Sequence, residues 1–137
     1  MTNLTIENNN SVVAKITFYG ADVVPDDLTA ELQIAPTSTW RCGDFIGRTK
    51  RRRDDHGWVL AAEAGSDLES AVAGLILRLQ PAWNTFAAAA ARHQTEIGVV
   101  VYARQFMPPL HVPREQLMKL ASLSADVDID VYSSYSE

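Results

Sequence analysis

Cysteine occurs only once in this 137-residue sequence, at Cys42. A single thiol cannot form an internal disulfide, so nothing indicates an oxidising compartment. The motifs GxSxG, HExxH and CxxC are absent, and the three histidines (His56, His93 and His111) lack the spacing of metal ligands. We therefore predict no catalytic residue, no metal site and no cofactor.

Long apolar runs are also missing. The longest, "GVVVYA" and "FAAAAA", are far too short to span a bilayer, and the N-terminus lacks the basic and apolar regions of a signal peptide. The chain has 47% hydrophobic and 21% charged residues, which is the composition of a folded protein. We expect a cytoplasmic protein without membrane contact. Residues 1–10 should form a polar lead-in, and residues 11–137 a single globular domain.

Positive charge is scarce except in one loop. The net charge is -5, yet residues 48–53 hold five basic side chains in six positions, and Asp54 and Asp55 follow directly. Half of the 12 basic residues lie between Arg41 and Arg53, which leaves the remaining surface strongly acidic. A basic loop can bind phosphates, but the acidic remainder of the molecule would repel nucleic acid.

Two local patterns predict the first elements. Apolar residues stand at every second position of residues 11–19, which predicts a strand that Gly20 ends. Pro25 suits the first position of a helix, and this helix must end before Pro36.

The following stretch, residues 37–63, is interpreted as a hairpin with a long loop that contains the basic run. Trp40 and Trp58 would then face each other across the two strands, where an aromatic pair adds stability.

The middle of the sequence predicts a long helix. Ser66 followed by Glu69 fits a capping box with Ser66 as the N-cap, and apolar residues follow at helical spacing from Leu68 to Leu79. Pro81 should end or kink this helix, because proline lacks the backbone donor and clashes in a helix interior. A second helical segment would then bury Trp83, Phe86 and Ala90.

The last third predicts a strand, a helix and a strand. Residues 96–104 are nearly all apolar, so we expect a central strand buried on both faces. Pro113 should open a helix with inward-facing residues at Leu117, Leu120, Ala121 and Leu123. Residues 126–132 alternate between apolar side chains and aspartate, which predicts a final strand.

The predicted order is therefore β-α-β-β-α-β-α-β. This order favours an α+β sandwich with one mixed, mainly antiparallel sheet of about five strands and helices packed mainly on one face.

Three aspartates occupy one face of the final strand: Asp126, Asp128 and Asp130. Alternate strand residues are about 6.6 Å apart, so these carboxylates could bind a hard cation or imitate a phosphate backbone. In the simpler interpretation the aspartates face water, while Val127, Ile129 and Val131 meet the helices.

Four pieces of the sequence carry a resemblance to a known family. They are "VPDDLTAELQIAPTSTW", the Gly43-Asp44 turn with its loop and Trp58, "DLESAVAGLILRLQP", and "PREQLMKLASLSADVDIDVY". Together they cover most of residues 12–132 and resemble the bacterial domain-of-unknown-function family 4279. The resemblance implies a small domain with no assigned activity. Some small bacterial families of this kind are immunity proteins of toxin systems.

The favoured hypothesis is a non-enzymatic interaction protein, such as an immunity protein that binds and neutralises a cognate toxin. An acidic face could cover a cationic site on the partner, with aromatic anchors beside it. The predicted protein-binding residues are Trp40, Arg41, Asp44, Arg51, Arg52, Trp58, Asp126, Asp128 and Asp130.

Two alternatives stay open at this point. One is a nucleic-acid-binding module that uses the 48–53 loop, with Trp40 and Trp58 stacking on bases. The other is a small-ligand-binding domain or enzyme, for which Cys42 and His56 form the one nearby thiol–imidazole pair. Cys42, however, precedes a turn and not a helix N-terminus that would activate a thiol. The sequence leaves the oligomeric state open.

Overall fold

Alternating apolar residues build β1 (Ser11–Gly20), which lies at the centre of a five-stranded sheet. The structure is a computed structural model and describes residues 10–133. The other strands are β2 (Ser38–Trp40), β3 (His56–Ala61), β4 (Gln94–Ala103) and β5 (Asp126–Ser133). Their order is β2-β3-β1-β4-β5, and each pair is antiparallel except β4 with β5. The predicted lead-in, residues 1–10, lies outside the described residues except for Asn10.

Helices cover one face of this sheet. Within residues 10–133 they are α1 (Pro25–Leu32), α2 (Leu68–Leu79), α3 (Trp83–Arg92) and α4 (Arg114–Ala121). Their buried side chains form one core with alternate residues of β1, β3 and β4. The predicted α+β fold, with a mixed sheet and helices on one face, is confirmed.

Pro81 interrupts the long helical segment as predicted. α2 ends at Leu79, and a 3₁₀ turn, Gln80–Ala82, joins it to α3. Phe86 and Ala90 are buried. Trp83 is half-buried against the core, and its Nε1 donates a hydrogen bond of 3.3 Å to Ser122 Oγ.

The predicted cross-strand pair of Trp40 and Trp58 is wrong. β2 and β3 do form a hairpin, but Trp58 stands opposite Thr39, while Trp40 stands opposite Gly57. Since neighbouring residues of a strand point to opposite faces, the two indoles lie on opposite sides of the sheet. Trp58 is fully buried, and its ring centroid lies 5.8 Å from that of Phe18.

Helix α4 presents a different face from the one predicted. Leu120 and Leu123 are buried as expected, but Leu117 is 53% exposed and Ala121 is also exposed. Gln116 is buried instead, and its Nε2 donates a hydrogen bond of 2.8 Å to the Glu69 carbonyl. Positions 116, 120 and 123 follow helical spacing, so this hydrogen-bonded glutamine belongs to the inner stripe.

β4 is an interior strand, but only one of its faces is fully buried. The prediction of two buried faces is wrong because the helices pack on one side of the sheet. On the other side Glu96 and Val100 are half-buried, and Tyr102 is exposed.

The N-cap of α2 also differs from the prediction. Asp67, and not Ser66, caps the helix: its Oδ1 accepts a hydrogen bond of 2.8 Å from the Ser70 amide. The Ser70 hydroxyl in turn accepts from the Asp67 amide, which completes the capping box with Ser70 in the place expected for Glu69. These Ser70 hydrogen bonds hold the pKa of Asp67 below its usual value.

Replacing Asp67 with alanine should lower the free energy of unfolding by about 1 kcal/mol. The contribution of a carboxylate with a lowered folded-state pKa is present above the ordinary aspartate pKa, and it is lost as the pH falls through the lowered value. Urea unfolding of Asp67→Ala should therefore differ most from the wild type at neutral pH. Ser66→Ala is the matched control and should change the free energy of unfolding little. A larger loss for Ser66→Ala than for Asp67→Ala would restore Ser66 as the cap.

Candidate functional site on the open face of the sheet

The face of the sheet opposite the helices carries most of the polar side chains of the strands, and we call it the open face. The register places Lys15, Thr17 and Tyr19 of β1 on this face, because Ile16 and Phe18 point into the core. Glu96 of β4 lies on this face because it stands opposite Thr17, and Trp40 of β2 lies on it because it stands opposite Gly57 of β3, which in turn stands opposite Tyr19.

Four carboxylates lie on the β4–β5 side of the open face. We call them the carboxylate cluster, and they are Glu96, Asp126, Asp128 and Asp130. Asp126 stands in register with Glu96, and Asp128 stands in register with Gly98. The Asp128 and Glu96 carboxyl groups are neighbours that can share a hydrogen bond when one of them is protonated, and this favours the protonated form of Glu96. The pairing of two strands thus joins a glutamate to the predicted aspartate row.

Lys15 lies beside the cluster. It stands opposite Gly98, and its Cε is 3.1 Å from the position that a β-carbon on Gly98 would take. The missing side chain at Gly98 therefore leaves room for the lysine stem on the open face. The ammonium charge of Lys15 partly offsets the negative charge around Glu96.

The pKa of Glu96 lies above its usual value, first because the carboxyl group is partly buried and second because of its hydrogen bond with Asp128. The negative charges of Asp128 and Asp130 raise it further, and only Lys15 acts in the opposite direction. The pKa of Tyr19 is raised by burial and then by the negative charges of Glu96, Asp126, Asp128 and Asp55. The β4–β5 side of the open face therefore holds more negative charge than Lys15 balances, which favours the approach of a cation.

Replacing Glu96 with glutamine should stabilise the protein at neutral pH by about 0.2–1 kcal/mol, since it relieves repulsion between like charges on adjacent strands. A raised folded-state pKa favours folding below the ordinary glutamate pKa, and this contribution is lost as the pH rises through the raised value. The stability difference between Glu96→Gln and the wild type should therefore grow from acidic to neutral pH in urea unfolding. Glu63→Gln is the control, because it removes an exposed carboxylate that lies away from the cluster. A less stable Glu96→Gln protein at neutral pH would refute repulsion as the dominant effect.

A cleft of about 470 Å³ occupies the other half of the open face. Trp40 forms one wall and lies flat over Gly57, whose added β-carbon would be 2.1 Å from the Trp40 Cζ2. Trp40 Nε1 donates a hydrogen bond of 3.1 Å to Asp55 Oδ1. The Arg53 guanidinium lies 4.0 Å from the Trp40 ring centroid on the cleft side of the hairpin loop. Lys15 and Glu96 line the cleft as well, so its walls carry both signs of charge.

The long loop of the β2–β3 hairpin is itself ordered as a smaller hairpin. Backbone hydrogen bonds link Gly43 with Arg53 at 2.9 Å and Ile46 with Arg51 at 2.8 Å. The Arg52 guanidinium lies 4.2 Å from the Phe45 ring centroid. Two of the five basic side chains are therefore stacked on aromatic rings, Arg52 on Phe45 of the loop and Arg53 on Trp40 at the end of β2, which uses part of their cationic surface.

Cys42 and His56 meet at the base of this loop, but not as a thiol–imidazole pair. His56 Nδ1 accepts a hydrogen bond of 3.0 Å from the backbone amide of Cys42. The ring nitrogen that faces Cys42 is therefore used by the backbone, and the contact is a structural one.

The sequence-predicted binding residues fall into two groups. The hairpin group is exposed or half-buried except for Trp58, whose burial removes it from any binding surface. Within this group the Arg41 amide donates a hydrogen bond of 2.8 Å to Asp44 Oδ2, and the Arg41 guanidinium lies 3.6 Å from Asp26. The aspartate group lies at the opposite edge of the sheet. The structure thus does not join the two groups into one patch.

Sequence reasoning missed three residues of the open face: Lys15, Tyr19 and Glu96. Each stands in a predicted strand at a position that alternates with core residues, and this alternation was the signal that could have placed it on the face away from the core. Their proximity to the aspartates depends on the register between strands, and no local pattern specifies that register.

β5 is more exposed than the sequence predicts. Val127, Ile129 and Val131 point to the helix side, in register with Ile97, Val99 and Val101, but they remain 42–43% exposed. The expectation that this face meets the helices holds only in part, because the helices do not fully cover the edge strand.

No group of three or more histidine, cysteine, aspartate or glutamate side chains within residues 10–133 is arranged to hold a metal ion. No helix in the same range has both the length and the apolar character needed to cross a membrane.

The chain was compared with known proteins in three ways. No curated protein and no solved structure matches it. A family model, described as "Domain of unknown function (DUF4279)", matches residues 10–134, which is nearly the whole chain and includes every strand and helix described above. The chain belongs to this family.

Proposed function

We propose that this chain is a protein-binding domain of the kind represented by cytoplasmic immunity proteins, which block a cognate toxin by covering a cationic surface. The observation that carries the proposal is the carboxylate cluster, in which Glu96 and three aspartates share the open face of the sheet. Charges arranged in this way increase the rate of association with a positively charged partner and determine which partner fits.

The chemistry of the cluster favours a partner that presents lysine or arginine. The aspartates are exposed, so they can form ion pairs with little loss of solvation. Glu96 is partly buried next to Asp128, and an added cation would relieve the repulsion between them. Binding should therefore weaken as salt is added, because exposed charges are screened.

Nucleic acid is a poorer fit to the same surface. Phosphates would be repelled by the carboxylate cluster, and the basic loop presents less free cationic surface than its sequence indicates. Arg52 is stacked on Phe45, Arg53 is stacked on Trp40, and Trp58 is buried away from any base. Stacking platforms and free cations are what a single-stranded nucleic acid requires.

The proposal is tested with the product of the neighbouring gene as the candidate partner. Wild-type protein should bind it and relieve its toxicity on co-expression. The variant Asp126→Asn/Asp128→Asn/Asp130→Asn should bind about tenfold more weakly, since three exposed ion pairs contribute about 0.2–1 kcal/mol each. Calorimetric titration at low and moderate salt gives both the affinity and its salt dependence.

A second triple variant provides the matched control. Asp27→Asn/Glu63→Gln/Glu115→Gln removes the same number of exposed carboxylates from surfaces outside the sheet. It should keep most of the affinity. Equal losses in the two variants would show that only net charge matters, and an absence of binding and of rescue by the wild type would refute the proposed role.

A further inference from the structure

We propose that β5 is a docking strand, to which an extended segment of a partner protein adds as a sixth strand of the sheet. This inference rests on the proposed protein-binding function and specifies its geometry. β5 pairs with β4 along one edge, and among residues 10–133 no strand pairs with its other edge. A free edge presents a row of backbone donors and acceptors, which is a template for another strand.

The two faces of β5 determine which side chains an added strand must carry. Val127, Ile129 and Val131 are 42–43% exposed on the helix side, so they offer apolar contacts there. Asp126, Asp128 and Asp130 are exposed on the open face. Because strand side chains alternate between faces, a complementary segment alternates apolar residues with lysine or arginine.

Charge argues against a second copy of this chain as the occupant. Antiparallel pairing of two β5 strands about a twofold axis would keep both open faces on the same side of the joined sheet. The aspartates of one copy would then lie beside those of the other. Like charges on neighbouring strands are destabilising, and charged residues on edge strands are a recognised protection against self-pairing. The occupant is therefore a cationic segment of a different protein.

The experiment uses synthetic peptides and the full-length, isotope-labelled protein. The first peptide is a blocked octamer in which lysine alternates with valine, and the second has glutamate in place of each lysine. The lysine peptide should bind, with its largest amide shifts in β5, and the glutamate peptide should bind at least about tenfold more weakly. The Asp126→Asn/Asp128→Asn/Asp130→Asn protein should lose most of this discrimination.

Backbone methylation separates strand addition from simple charge attraction. In a strand, alternate amides point to the same edge, so the lysine peptide is made in two forms, methylated on one alternate set of amides or on the other. Strand addition predicts that one form loses at least about tenfold in affinity while the other binds nearly as well as the parent. Equal binding of both forms would overturn the docking strand, because the peptide would then be held by charge alone.

Two further results would also overturn it. One is a concentration-dependent dimer in sedimentation that Ile129→Lys abolishes, because the second copy would then be the occupant. The other is a set of peptide-induced shifts confined to residues 48–53. In either case the calorimetry with the neighbouring gene product still decides the proposed function independently. It measures the affinity for a whole protein partner and does not depend on strand addition.

Discussion

Replacing Trp58 with alanine should lower the free energy of unfolding by about 3–5 kcal/mol, the usual cost of removing a fully buried tryptophan. Trp58 is fully buried among Phe18 and Phe86, with ring centroids 5.8 and 6.2 Å away. Its Nε1 also donates a hydrogen bond of 3.0 Å to Thr29 Oγ1, which connects β3 to α1. The substitution therefore removes packing and leaves the hydroxyl without its donor.

Guanidinium or urea unfolding measures this loss directly. Domains of this size have a total stability of about 5–15 kcal/mol, so the variant should show a large fall in its midpoint. Trp83→Ala is the control. Because Trp83 is only half-buried, its replacement should lower the free energy of unfolding clearly less. A smaller loss for Trp58→Ala than for Trp83→Ala would contradict the placement of Trp58 in the core.

Replacing Gly57 with alanine should cost about 1–3 kcal/mol, the usual effect of forcing an extra carbon into a packed site. The added β-carbon would be 2.1–2.3 Å from three atoms of the Trp40 ring. Trp40 cannot move without disturbing its hydrogen bond to Asp55 and its contact with Arg53. The substitution should therefore also loosen the hairpin loop over the cleft.

A double-mutant cycle isolates this contact. In a Trp40→Ala background, Gly57→Ala should cost much less, because the clashing ring is gone. Gly74→Ala is an independent control in α2: within residues 10–133, no atom apart from the adjacent residues and the backbone of its own helix lies within 4 Å of its added β-carbon, and the substitution should stabilise the helix by about 0.5–1 kcal/mol. An equal cost for Gly57→Ala with and without Trp40 would indicate that backbone conformation, and not the indole, makes glycine necessary.

The elements were predictable because their signals are local. The alternation of residues 11–19 and 126–132, and the positions of Pro25 and Pro81, follow from the geometry of a few neighbouring residues. Each of these segments adopts the predicted element. The α+β architecture then follows from the order of the elements.

The relations between elements were not predictable from these signals. The hairpin of residues 37–63 was predictable, but its register, which places Trp40 opposite Gly57 and not opposite Trp58, was not. Leu117 and Gln116 are adjacent in sequence, and only the hydrogen bond to the Glu69 carbonyl explains why the glutamine is buried. Tertiary contacts of this kind override local preference.

The candidate site shows the same division. The aspartate row of β5 was visible in the sequence, but Glu96 joins it only through the parallel pairing of β4 with β5. The basic run was the most conspicuous sequence feature, and stacking on Phe45 and Trp40 reduces its free surface. The binding proposal therefore rests on the carboxylate cluster and not on the basic run.

Amide hydrogen exchange of the protein with and without its bound partner tests the role of the open face most directly. Exchange should slow in β5 and around Glu96 of β4 when the partner is bound, while residues 48–53 should exchange as they do in the free protein. Slowing confined to residues 48–53, with β5 unchanged, would contradict the assignment of the carboxylate cluster as the binding surface.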